Sequence, residues 1–127
     1  MTVAEPYFSF LSRIIYKCFH HEPSEFNIAA PLLSEIKGPV SSANMAIPHM
    51  IFFSSKGWDK ALSNIYDFSK ENAIYYSSLS YMATGGISRR FLVPGWLYKK
   101  AFILDCYLAK KFPKLFSAFF IIKLVKK

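Results

Sequence analysis

The clearest alternation of apolar and polar positions lies near the amino terminus. Between Pro6 and Pro23, the residues Ser9, Ser12, Arg13, Lys17 and His20 recur at helical spacing and share one face. Tyr7, Leu11, Ile14, Ile15, Cys18 and Phe19 share the other. The pattern predicts an amphipathic helix over Tyr7–His21, opened by Pro6 and stopped by Pro23. From Glu22 to Gly57 the prolines 23, 31, 39 and 48 leave little room for a full-length helix. This span reads as an irregular connector with short pieces such as Pro31–Ile36 and an extended run Met50–Phe53.

A second helical pattern follows. Trp58, Ala61, Leu62, Ile65, Tyr66 and Phe68 lie opposite Lys60, Ser63, Asn64, Asp67 and Glu71. A helix over Trp58–Ala83 is expected, with a strand at Tyr75–Tyr76 as the competing assignment, and Gly85-Gly86 as its end. Gly85–Gly95 reads as a loop containing a short strand, Ile87–Val93. Trp96–Lys111 and Lys114–Lys126 complete the expected helices. In the former, Lys99 and Lys110, and likewise Lys100 and Lys111, are eleven residues apart and stack along one edge. Ile103 and Tyr107 interrupt that lysine sector. The expected architecture is a single domain over 1–127: a small, loosely packed, mainly α domain of about four helices with a Pro-rich irregular middle.

Charge divides the chain. Residues 1–88 hold six bases and seven acids, whereas 89–127 hold ten bases and one acid, Asp105, so this tail carries the whole net charge of +8. The same tail carries nine aromatics. A segment both cationic and aromatic suits an anionic surface with an apolar layer behind it. It is too short and too charged to span one. Its longest uncharged run, Leu115–Ile122, reaches about 12 Å as a helix against roughly 30 Å of hydrocarbon. Extension toward Trp96 buries Asp105, Lys110 and Lys111 at about 2.5–3.5 kcal/mol each. Lying in the interface avoids those costs. The leading expectation is therefore a non-enzymatic protein that associates peripherally with anionic membranes. Lys99, Lys100, Lys110, Lys111, Lys114, Lys123, Lys126 and Lys127 would supply charge, and Phe112, Phe116, Phe119 and Phe120 would be apolar anchors.

Two other expectations stand beside it. Thirteen Phe, thirteen Lys and twelve Ile against four Val, two Thr and no Gln match chance translation of AT-rich sequence, hence a product with no selected role. Nucleic acid is a third target: lysines meet phosphates and Trp96, Tyr98 or Phe102 stack on bases. Against it, only Arg89 and Arg90 supply guanidinium groups in the tail, and no nucleic-acid motif surrounds them.

No motif points to catalysis, a cofactor, a small-molecule substrate or a metal. Cys18, His20, His21, His49 and Cys106 lack ligand spacing, and Cys18 and His20 project about 200° apart on a helix. Gly85-Gly86 with Ser88, Arg89 and Arg90 lacks the fingerprint of a phosphate loop. Glu5 and Pro6 stand where a secretory signal needs bases, which predicts an intracellular protein, cytoplasmic or membrane-associated, with reduced cysteines.

Overall fold

The computed structural model describes residues 1–19, 24–31, 44–76, 80 and 93–127. Their order is β1 (Thr2–Pro6), α1 (Phe10–Phe19), α2 (Ala46–Phe53), α3 (Asp59–Ser63), β2 (Tyr66–Asp67), β3 (Ile74–Tyr76), α4 (Gly95–Lys111), α5 (Pro113–Phe116), β4 (Phe119–Lys123) and β5 (Val125–Lys126). The fold is mixed α/β, and the expectation of a mainly α domain of about four helices is corrected.

The largest correction falls at the carboxyl end. Residues 114–126, read as a helix, form one helical turn and then two strands. β4 is the central strand of an antiparallel sheet ordered β1-β4-β3, and β5 pairs with β2. Val3 faces Ile122 and Glu5 faces Phe120; Tyr75 faces Phe120 from the other side. The buried positions Ala118, Phe120, Ile122 and Leu124 recur with the period of two that a strand imposes. Phe119 and Ile121 on the opposite face are also apolar, so the alternation is hidden in the sequence. A strand covered on both faces reads as a continuous apolar run, indistinguishable by periodicity from a buried helix.

At the other terminus, Pro6 ends an edge strand, where its missing N–H interrupts no ladder. The Tyr7 N–H carries the pairing on to Ala118 O at 2.7 Å. Helix α1 therefore starts at Phe10 rather than Tyr7, and Ser9 Oγ accepts the Ser12 N–H at its head. The helix is also turned from its expected orientation. Ser12, Ile15 and Tyr16 are buried, whereas Phe10 and Ile14 are exposed. Internal partners make this possible: the Ser12 hydroxyl donates to Tyr7 O and the Tyr16 hydroxyl to Ala118 O, both at 2.7 Å.

The Pro-rich span contains a helix where Met50–Phe53 was expected to be extended. Pro48 falls in the first turn of α2, where a missing N–H costs nothing. Asn44 holds the approach, accepting the Ala46 N–H and donating to Glu25 O. A left-handed turn at Gly57 (φ 73°) leads into α3. The helix expected over Trp58–Ala83 is reduced to α3 followed by β2 and β3. Pairing with the chain end prevails over helical propensity there, for the Lys127 N–H donates to Ile65 O beside the β2–β5 pair. Residues 85–92 of the expected loop and its strand Ile87–Val93 lie outside the described residues, and Gly95, the last residue of that loop, opens α4.

Two apolar clusters flank the sheet. Phe8, Tyr16, Met45, Met50 and Ala118 form one; Tyr7, Phe52, Phe120, Ile122 and Leu124 form the other. Rings dominate the second. Phe120 meets Phe53 edge-on at 5.0 Å and Phe52 at 5.6 Å, and Tyr7 meets Tyr75 at 5.0 Å.

Candidate functional site

Helix α4 carries the most unusual surface. Only Asp105 and Ala109 of its side chains are buried, with Ala101 and Leu108 half-buried beside them. At about 100° per residue these four form one stripe about 100° wide, with two alanines in it. Asp105 anchors that stripe. Fully enclosed, its carboxylate accepts the Ser80 N–H at 2.9 Å and also the Ser80 hydroxyl. Two donors on one oxygen offset the desolvation of a buried charge.

The opposite side of α4 faces solvent. Trp96, Ile103 and Tyr107 project within about 40° of one another, and they are 65%, 62% and 57% exposed. Lys99 and Lys110 run about 50° to one side of this ridge, and Lys100 and Lys111 about 50° to the other. The interruption of the lysine sector by Ile103 and Tyr107 is thus the outermost line of the helix. Lys100 and Lys111 lean inward over it. Lys100 Nζ lies 5.5 Å from the Trp96 ring and Lys111 Nζ 5.6 Å from the Tyr107 ring, where it also donates to the phenol oxygen at 3.1 Å. Phe102 and Leu104 widen the exposed apolar surface.

The expected site residues separate into three groups. Lys99, Lys100, Lys110 and Lys111 come together as the two rails, and exposed Phe112 and Lys114 with half-buried Phe116 continue from the helix end. Lys123, Lys126 and Lys127 are exposed on β4, β5 and the chain end, apart from the rails, and Lys127 Nζ stands 3.6 Å from Asp67 Oδ1. Phe119 and Phe120 are corrected as surface anchors. Phe119 is half-buried and stacks on Tyr76 at 5.6 Å, while Phe120 is completely enclosed between Phe52 and Phe53. Enclosure takes Phe120 from any external surface, and packing in the sheet leaves Phe119 only partly exposed. Trp96, Ile103 and Tyr107 were missed as a set, although their spacing of seven and four residues was the available signal.

The remaining titratable groups offer little chemistry. His49 sits within a ring cluster of Tyr7, Phe8, Phe26 and Phe53, and its Nδ1 accepts the Phe8 N–H at 3.2 Å. Burial, then the nearby Arg13 charge, holds its pKa down to about 4. Cys18 and Cys106 are free thiols at the surface. Among the described residues no group of three His, Cys, Asp or Glu side chains could hold a metal, and no helix is long and apolar enough to cross a membrane. His20, His21, Arg89, Arg90 and the Gly85-Gly86 turn lie outside the described residues. Comparison with protein-family models, with curated proteins and with solved structures finds no match.

Proposed function

We propose that the protein associates peripherally with anionic membranes through the outer face of α4. One observation carries this reading: an exposed Trp96–Ile103–Tyr107 ridge bordered on both sides by paired lysines. Indole and phenol rings suit the boundary between headgroups and acyl chains. Lysine stems beside them can lie along apolar surface while the ammonium groups reach phosphates. The inner stripe, fastened through Asp105, leaves the ridge free to face a planar surface. The interacting surface is thus a helix face, whereas residues 119–125 belong to the sheet.

Each surface-proximal lysine contributes about 1 kcal/mol on an anionic leaflet, so the four rail lysines contribute about 4 kcal/mol, or roughly a thousandfold in affinity. The test is co-sedimentation with phosphatidylserine-containing and pure phosphatidylcholine vesicles. The wild type should pellet with the former and be released by raised salt. Replacing Lys99, Lys100, Lys110 and Lys111 by Gln should remove nearly all binding, and Ile103→Ser should weaken it about tenfold. Equal binding to both vesicle types defeats the electrostatic half of the reading. Salt-sensitive capture by single-stranded RNA without vesicle binding would replace it with nucleic-acid recognition.

A further inference from the structure

A cleft of about 490 Å³ opens between β1 and the helices α2 and α3. Its walls are apolar: Val3, Ile51, Phe52, Trp58, Leu62 and Leu124. Met1, Val3 and Glu5 line it together because alternate residues of a strand share a face. Among the described lining residues, Glu5 is the one with an ionisable side chain. Opposite Phe120 in the sheet, its carboxyl is pushed above the usual range by burial. Among the described residues it forms no ion pair. The amino-terminal ammonium belongs to the far end, about 13 Å along the strand, where it donates to Leu124 O at 2.7 Å.

We infer that this cleft binds a small primary aliphatic amine, with Glu5 as its counter-ion. The volume lies within the range of small-ligand sites, and such sites combine apolar walls with a few orienting polar groups. A neutral apolar ligand would satisfy the walls and leave the partly buried carboxylate unpaired. A carboxylic acid would place like charges together. An alkylammonium buries its chain and gives Glu5 the charge-assisted hydrogen bond it lacks. The inference is independent of the membrane reading, which involves a different face. The chain's net charge of +8 repels cations at long range, so any preference for an amine must arise locally.

The test compares n-hexylamine, n-hexanol and hexanoate, ligands that differ in their head group. Trp58 and Trp96 are the two tryptophans, so in a Trp96→Phe background Trp58 alone reports from the cleft wall. Hexylamine at neutral pH should bind at least tenfold more tightly than hexanol, and hexanoate should bind least. Glu5→Gln, which removes the carboxylate while keeping shape, should abolish the preference for amine over alcohol. Ala61→Phe, from an exposed position on the rim, should weaken both by filling the space without adding a second indole. Equal binding of amine and alcohol to the parent, tighter binding of hexanoate, or an amine preference that survives Glu5→Gln would overturn the inference.

Discussion

Acidification should destabilise this protein through one side chain, His49, and the amount follows from its surroundings. The imidazole stands among Tyr7, Phe8, Phe26 and Phe53, and its Nδ1 accepts a backbone N–H from Phe8. A proton on that nitrogen would oppose one donor to another and charge a buried ring beside Arg13. The folded ring therefore stays neutral to about pH 4, against 6.5 ordinarily. The unfolded chain takes up a proton across that window and the folded chain does not. Stability from this source is fully present above pH 6.5, declines as pH falls, and levels off below about 4. The full difference is about 3 kcal/mol, and about 2 kcal/mol of it is lost by pH 5. Urea unfolding of wild type and His49→Asn at pH 7.5 and 5.0 isolates the effect, since Asn keeps an acceptor near the Nδ1 position and does not titrate. The wild type should lose about 2 kcal/mol more than the variant between the two conditions. A parallel decline in both proteins would refute the argument.

Three further outcomes follow from packing. Phe120→Ala should cost roughly 3–5 kcal/mol in urea unfolding, because the ring is wholly enclosed; a cost typical of an exposed residue would contradict the placement of β4. Asp105→Ala should cost about 1–3 kcal/mol by removing the acceptor of the Ser80 N–H and hydroxyl, and hydrogen exchange should rise along α4. Gly57→Ala should destabilise by about 1 kcal/mol, since φ is 73° and an added methyl group would meet the Lys60 stem only at ordinary contact distance, 3.9 Å; no change on thermal unfolding would remove the conformational explanation.

How much was legible depends on whether the relevant signal is local. The charge division at residue 88, the lysine pairs eleven residues apart and the helix over 96–111 are properties of short stretches, and α4 spans Gly95–Lys111 as its pattern predicts. The lack of a membrane-length apolar run is local in the same way, and no described helix has one. The orientation of α1 and the helix at Ala46–Phe53 were not legible, because each depends on partners distant in sequence. Ser12 and Tyr16 are tolerated inside because their hydroxyls find carbonyls of Tyr7 and Ala118.

The carboxyl segment shows the same division most sharply. Sequence alone established that residues 119–125 are apolar except for Lys123 and are followed by two lysines, and nothing local separates a buried strand from an interfacial helix there. Pairing with Thr2–Pro6 on one side and Ile74–Tyr76 on the other decided the matter. Backbone hydrogen bonds satisfied by two distant strands, with Phe120 and Ile122 enclosed beneath them, made this segment core and left the lysine-bordered face to α4. Long-range pairing is a property of the whole chain, so no window of its sequence contains it.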